Sequence, residues 1–112
     1  SAASDVYKRQ LYVDGDASLS DATIESNSGS NGGGLLLITG ELETSGLTIE
    51  SNYASYGGGG VYLLGDDLVS TSTDWGSGTT DNSSHDVYVN GEGSFNYSGS
   101  STFSCDTTNG CN

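Results

Sequence analysis

The sequence predicts an all-β fold, a right-handed parallel β-helix (solenoid) with four coils of roughly 25 residues each. Ala22–Asn27 recurs as Leu47–Asn52, and Gly32–Gly34 recurs as Gly57–Gly59, so two separate motifs share one step along the chain. A fixed period of about 20 to 50 residues is typical of solenoids, whose units stack because none of them buries its apolar side alone. Each unit combines short apolar stretches with Gly, Ser, Asn and Thr clusters that favour turns, which indicates strands rather than helices.

Apolar triplets mark the first strand of each coil and repeat with nearly the same step. They begin at Leu11, Leu36, Val61 and Val87. About 25 residues of extended chain at roughly 3.3 Å each span roughly 80 Å, which is enough for one circuit of a three-sided coil. The predicted coils are Leu11–Gly34, Leu35–Gly60, Val61–Asp86 and Val87–Asn112.

Alternation within these strands predicts a thin aliphatic interior. In the third coil the position that matches Ile24 and Ile49 is Asp74, so Trp75 is expected to take the inward place after a one-residue insertion. The inward residues predicted are Leu11, Val13, Ala22, Ile24, Leu36, Ile38, Leu47, Ile49, Val61, Leu63, Val87 and Val89, with Leu19, Val69 and Phe95 on another side.

Two polar columns are also expected inside or along the coils. Asn27 and Asn52 are predicted to stack as an internal amide ladder at a corner, where they satisfy backbone groups of the turn. A threonine column is predicted in the same way, formed by Thr23, Thr48 and Thr73. Three threonines are too few for an ice-binding surface.

Both ends of the chain depart from the repeat, which covers residues 11–112. Residues 1–10 contain the only Lys and Arg and resemble adapter-derived read-through in environmental sequence assemblies, so we expect a non-native arm before a C-terminal fragment. A C-terminal cap is expected near residues 95–112. Within it, five residues separate Cys105 from Cys111, and a disulfide between them is favoured over free thiols, which would imply an oxidising compartment.

The charge of the chain excludes several classes of partner. It has 2 Lys and Arg residues against 15 Asp and Glu residues, a formal net charge of -13. Nucleic-acid binding and attraction to anionic membranes both depend on Lys and Arg, so both are excluded. No apolar run reaches about 18 residues, so this segment is not expected to insert into a membrane.

The repeat resembles a known family. Asn27 before Gly32–Gly34, and Asn52 before Gly57–Leu63, are similar to the Asn-then-GGG-aliphatic-Tyr repeats of secreted parallel β-helix proteins. Polymorphic outer-membrane and autotransporter-like adhesins are the best-known group. The resemblance covers about residues 11 to 112 and implies an extracellular or cell-surface, non-catalytic passenger that is structural or adhesive. The partners implied are a glycan or a host-surface protein, and upstream coils of the same chain.

The alternative function is a fragment of a polysaccharide-binding or polysaccharide-degrading β-helix protein, because the same coils serve all these activities. Enzymes of this type that act on acidic sugars use clustered carboxylates together with Arg or Lys. Asp66 and Asp67 resemble such a carboxylate pair and His85 could act as a base, but residues 11–112 contain no Lys or Arg. No catalytic residue is therefore assigned. The favoured interpretation is that the Asp66–Asp67 pair and His85 lie in solvated surface turns.

A series of acids follows the glycine that ends the first strand of each coil. Stacked carboxylates about 4.8 Å apart repel by about 1 kcal/mol per pair in water and about 3.5 kcal/mol at an effective dielectric of 20. The larger repulsion would favour protonation of the acids or a bridging cation, for which Ca²⁺ suits carboxylate oxygens, and the smaller one leaves plain solvated acids. The candidate calcium ligands are Asp16, Glu41, Asp66 and Glu92, and no other cofactor is expected.

A column of tyrosines is the candidate ligand-binding strip. Tyr12, Tyr62 and Tyr88 share the outward position of the first strand, with Leu37 between the first two. Exposed aromatic side chains suit sugar or protein binding, and the alternative is that a neighbouring domain or loop covers them.

Overall fold

Short strands wind into a parallel β-solenoid of about three turns. The computed structural model describes residues 5–7, 9–64, 67–90, 93–99 and 105–107. In this part of the chain the strands are β1 (Asp5–Tyr7), β2 (Leu11–Asp14), β3 (Ala17–Ser20), β4 (Ala22–Glu25), β5 (Ser28–Asn31), β6 (Leu35–Thr39), β7 (Glu41–Ser45), β8 (Thr48–Glu50), β9 (Tyr53–Gly57), β10 (Val61–Leu63), β11 (Asp67–Thr71), β12 (Val87–Val89), β13 (Ser94–Ser98) and β14 (Cys105–Thr107), with a 3₁₀ turn at Gly78–Thr80.

The strands form four parallel sheets, one strand of each sheet per complete coil. Sheet 1 has the order β14-β12-β10-β6-β2, sheet 2 is β13-β11-β7-β3, sheet 3 is β1-β4-β8, and sheet 4 is β5-β9. The parallel β-helix prediction is confirmed, whereas the three-sided coil is corrected to four sides because the Gly-rich stretch before sheet 1 carries a strand of its own. The right-handed sense is the one that such crossovers take, and it stays a prediction.

The fourth predicted coil is incomplete. β12 and β13 continue sheets 1 and 2, but Val87 then pairs with Cys105, a step along the chain that is clearly shorter than the step of the complete coils. Among the described residues, sheets 3 and 4 have no strand that follows β13, and the solenoid has about three turns. At the other end, β1 of the predicted non-native arm pairs with β4, Asp5 opposite Ala22, while the origin of that arm stays a prediction.

The interior holds the apolar side chains of sheets 1, 2 and 3. Among the predicted inward residues nine are buried, and Leu11, Val13 and Leu19 are half-buried against the same cluster. Trp75 is buried as predicted and meets the ring of Phe95 edge-on, at 5.8 Å between centroids and 87° between planes. The nine are Ala22, Ile24, Leu47, Ile49, Val61, Leu63, Val87, Val89 and Phe95.

Three inward assignments were wrong by one residue. Leu36 and Ile38 point outward and are half-buried, whereas Leu35 and Leu37 are buried. The reason is a register shift between Val13 and Asp14, because Leu11 pairs with Leu35 while Asp14 pairs with Thr39. In a run of four consecutive apolar residues, period-two alternation cannot distinguish the two faces.

The same one-residue error affects sheet 2 and the threonine column. Val69 is half-buried on the outer side, and Leu68 beside it is buried. Thr73 is buried and its hydroxyl lies 2.6 Å from that of Ser70, while Thr48 pairs with Asp74. The insertion that brings Trp75 inward therefore removes Thr73 from the predicted column.

An amide ladder lines the corner between sheets 3 and 4, as predicted. The backbone N–H of Asn27 donates to Oδ1 of Asn52 at 3.0 Å, and Nδ2 of Asn52 donates to the carbonyl of Ile24 at 3.0 Å. Asn82 repeats this one coil later, since its Nδ2 donates to the carbonyl of Ile49 at 2.8 Å. The sequence did not identify this third member because its distance along the chain from Asn52 exceeds the period of the repeat.

The Gly-Gly-Gly segments stack where the chain passes from sheet 4 to sheet 1. The backbone N–H of Gly33 donates to the carbonyl of Gly58 at 3.0 Å, and both segments are buried. A Cβ atom on Gly33 would lie 2.5 Å from the carbonyl oxygens of Gly59 and of Tyr53. Backbones approach too closely here for any side chain, which is why the triplets recur.

Candidate binding face

The outer side of sheet 1 carries apolar and aromatic side chains, unlike the outer sides of sheets 2 and 3. Alternation in β6 turns Leu36 and Ile38 outward, and Leu64, which follows β10, is 46% exposed. Outward residues of sheet 2 are mostly hydroxyl, amide or acidic, such as Ser20, Ser45 and Glu43. The apolar surface is called the sheet 1 face below; it comprises Tyr12, Leu36, Ile38, Tyr56, Tyr62, Leu64 and Tyr88.

The predicted tyrosine column exists, but its members differ in exposure. Tyr12 pairs with Leu36, rather than with the predicted Leu37, and the column continues to Tyr62 and Tyr88. Tyr12 is 68% exposed, whereas Tyr62 is only 4% exposed. The expectation that all three tyrosines are outward and accessible is therefore corrected for Tyr62.

Two neighbours cover Tyr62. The ring of Tyr88 stacks on it, with centroids 4.9 Å apart and planes 6° from parallel. Tyr56 at the end of β9 leans over both rings, 6.2 Å from Tyr62 and 5.7 Å from Tyr88, and remains 63% exposed. A Cβ atom on Gly57 would lie 2.8 Å from the Tyr88 ring, so the glycine makes room for this cluster.

Sequence reasoning did not assign Tyr56 to the strip. It belongs to sheet 4, where no repeat position marks it, and only the fold brings it over sheet 1. The hydroxyl of Tyr62 accepts a hydrogen bond from Nδ2 of Asn90 at 2.9 Å. This contact satisfies the one polar group of the buried ring, so the cluster is a rigid base under the exposed Tyr56.

Acidic side chains border the sheet 1 face along its junction with sheet 2. Asp16 precedes β3, Glu41 opens β7 and Asp67 opens β11. The backbone N–H of Glu41 donates to Oδ1 of Asp16 at 2.9 Å, and Glu41 pairs in register with Asp67. Asp14 ends β2 on the same side and accepts a hydrogen bond from the hydroxyl of Thr39.

Of the four acids predicted as calcium ligands, the described residues include two. Asp16 and Glu41 are neighbours, as expected, but the next position of this column is Asp67 and then Ser94, whose hydroxyl donates to Oδ1 of Asp67 at 2.6 Å. Asp66 and Glu92 lie outside the described residues. Within the described residues, no group of three or more His, Cys, Asp or Glu side chains could hold a metal ion.

The remaining candidate residues are dispersed. His85 is exposed and has a positive φ of 60°, typical of a turn. Cys111 lies outside the described residues, and only the backbone of Cys105 is described, so the disulfide stays a prediction. An open groove of 340 Å³ on the outer side of sheet 2 has one acid in its lining, Glu43, beside hydroxyl groups and Val69.

No family model, curated protein or solved structure matches this chain. Within the described residues, no helix is long and apolar enough to span a bilayer.

Proposed function

We propose that this chain is a non-catalytic segment of a secreted or cell-surface solenoid that acts as an adhesive or structural passenger and uses the sheet 1 face to bind its partner. The observation that carries the proposal is the contrast between this face and the polar outer sides of sheets 2 and 3. A contiguous exposed apolar patch on a soluble protein marks an interaction surface more often than single exposed residues do.

The arrangement of the face supports binding energetically. Tyr12, Tyr56 and Leu64 are each about half or more exposed, so a partner that covers them removes apolar surface from water. Complete burial of such a side chain contributes about 1.5–3 kcal/mol. Tyrosines are also frequent among the few residues that dominate binding energy, and Tyr56 rests on an already packed ring pair that loses little freedom on binding.

An extracellular or cell-surface location is part of this proposal. The resemblance to secreted β-helix repeats supports it, as would a Cys105–Cys111 disulfide, which persists in oxidising compartments. Blocking with a thiol reagent in the native, unreduced protein tests this element: two reactive thiols would contradict the disulfide.

The test of the binding function is a comparison of two double variants on arrays of purified extracellular proteins and of glycans. Tyr12→Ser with Tyr56→Ser removes the exposed aromatic groups of the sheet 1 face. Tyr53→Ser with Tyr97→Ser removes two tyrosines, 53% and 43% exposed, that lie outside it. We expect the first variant to lose binding at least about tenfold and the second to keep it. Equal binding by both variants and the unmodified chain would overturn the proposal.

The second candidate is a polysaccharide-binding or polysaccharide-degrading β-helix fragment, and the exposed rings of Tyr12 and Tyr56 favour its binding form because sugars stack on aromatic faces. Signals confined to the glycan array would support it. If the protein degrades polysaccharides, a longer chain that contains this segment should hydrolyse uronate polymers, and Asp67→Asn should abolish that activity. Absence of hydrolysis by the longer chain would exclude the degrading function.

A further inference from the structure

The chemistry of the sheet 1 face also indicates what kind of partner fits it. Its centre is aliphatic, formed by Leu36, Ile38 and Leu64 between the exposed tyrosines. Sugar rings stack on aromatic side chains, but aliphatic side chains present no flat face to a sugar and pack best against other apolar side chains. A centre of this composition therefore favours a protein surface over a glycan.

The border of the face indicates the charge of that partner. Asp14, Asp16, Glu41 and Asp67 line the junction between sheets 1 and 2 and are exposed or half-buried. Arg9 is the only Lys or Arg side chain among the described residues, and residues 11–112 contain neither type. Because neighbouring strands are stacked about 4.8 Å apart, successive carboxylates of the row repel one another.

A partner with Lys or Arg opposite this row would relieve that repulsion while its apolar centre covers the face. Specific protein interfaces have this anatomy, with an apolar core and a polar, charged rim. Charge complementarity at the rim mainly accelerates association and selects the partner, whereas the core supplies most of the affinity.

We propose that the sheet 1 face binds a protein whose contact surface has an apolar centre flanked by Lys or Arg residues. This inference rests on the proposed binding function and adds the chemistry of the partner. A second copy of this chain does not match this description, because its residues 11–112 contain no Lys or Arg to place opposite the row.

The probes for the test are three short synthetic peptides titrated against the folded chain. The first has a Leu and Val centre with two lysines at each end, the second replaces the lysines by glutamates, and the third replaces the centre by Ser and Gly. We expect the first peptide to bind at least about tenfold more tightly than either of the others, because each control lacks one half of the complementarity.

Matched variants of the chain locate the charge effect. Glu41→Gln with Asp67→Asn removes two of the four negative charges of the row beside the sheet 1 face. As the control, Glu50→Gln with Asp74→Asn removes two negative charges at sheet 3, one from β8 and one from the residue that pairs with Thr48. The first pair is expected to weaken binding of the lysine-ended peptide about tenfold, and the second pair less than about threefold. Circular dichroism and the melting temperature of each variant confirm that it is folded.

The outcomes separate this inference from the binding function on which it rests. Equal binding of the Ser-Gly peptide would show charge attraction without an apolar core and would overturn the inference. Equal binding of the glutamate-ended peptide, or exclusive glycan binding on the arrays, would also overturn it while leaving the binding function intact. Self-association through the face, detected by sedimentation and abolished by Tyr12→Ser with Tyr56→Ser, would overturn it in favour of a second copy.

Discussion

The Asn and Gly corners and the sheet 1 face lie on the same coils but differ in how tightly their atoms are packed. At the corners, backbone atoms approach so closely that Gly33 has no room for a Cβ atom, and each polar group of Asn52 meets a neighbouring coil. On the sheet 1 face, Leu36, Leu64 and Tyr56 are only partly covered and have space around them. The comparison teaches that the repeated Asn and Gly motifs build the stack, while the residues available for binding lie outside these two motifs.

The largest effect is expected from two adjacent leucines on opposite sides of sheet 1. Leu63 is 0% exposed and Leu64 is 46% exposed. Leu63→Ala should lower the free energy of unfolding by about 3–4 kcal/mol because it opens a cavity, whereas Leu64→Ala should change it by less than about 0.5 kcal/mol. Urea unfolding measures both, and equal losses would contradict the assignment of the two sides.

A glycine pair separates steric exclusion from backbone strain. Gly33→Ala should cost about 3 kcal/mol, because the new Cβ atom would meet two carbonyl oxygens at 2.5 Å. At Gly15 the space is open but φ is 108°, so Gly15→Ala should cost only about 1 kcal/mol. If thermal unfolding shows Gly15→Ala to be the more damaging change, close backbone packing is not the reason for the Gly triplets.

The amide ladder should contribute less than the packing of the corner. Asn52→Ala leaves the carbonyl of Ile24 and the N–H of Asn27 without their side-chain partner, which should lower the free energy of unfolding by about 2 kcal/mol. Asn96, exposed on sheet 2, is the matched control, and Asn96→Ala should change it by less than about 0.5 kcal/mol. Indistinguishable melting temperatures of the Asn52→Ala and Asn96→Ala variants would show that the ladder does not stabilise the fold.

The smallest effect, no measurable stabilisation, is expected from calcium at the row of acids, because the described residues bring together no group of three or more His, Cys, Asp or Glu side chains that could hold the ion. A weak site with a Kd of about 1 mM would stabilise the fold by about 1 kcal/mol in about 5 mM Ca²⁺, which raises the melting temperature by about 5 °C. Such a rise, abolished by Asp16→Asn with Glu41→Gln, would contradict this expectation. Equal melting temperatures in calcium and in a chelator would mean that the acids are solvated and hold no ion.

Much of the fold could be predicted because residues one repeat apart in the sequence stack on each other in neighbouring coils. Ile24 and Ile49 pair directly, and the Asn and Gly motifs occupy equivalent corners. Each position in a solenoid meets its own copy in the next coil, so a period in the sequence translates into a column in space. The same logic identified Trp75 as the inward residue of the irregular third coil.

The candidate binding face was less predictable. Tyr12 and Tyr88 were identified from their outward position, but Tyr62 is covered and Tyr56, which covers it, was not assigned. Leu36 was placed inside rather than on the face. In each case the deciding factor is a contact between different sheets or a one-residue register shift, and neither leaves a periodic signal.

The sequence by itself determined the parallel solenoid, the amide ladder, the position of Trp75 and the acidic character of the chain, because these follow from local alternation, a fixed period and composition. Only the tertiary structure decided which of the four consecutive apolar residues of β6 face inward, that Asp67 rather than Asp66 follows Glu41, and that Tyr56 lies over Tyr62 and Tyr88. The physical reason is that register and inter-sheet packing are set by the summed fit of neighbouring coils. A single insertion, such as the extra residue before β10 that makes Leu35 pair with Val61, changes that fit without changing the motifs on either side.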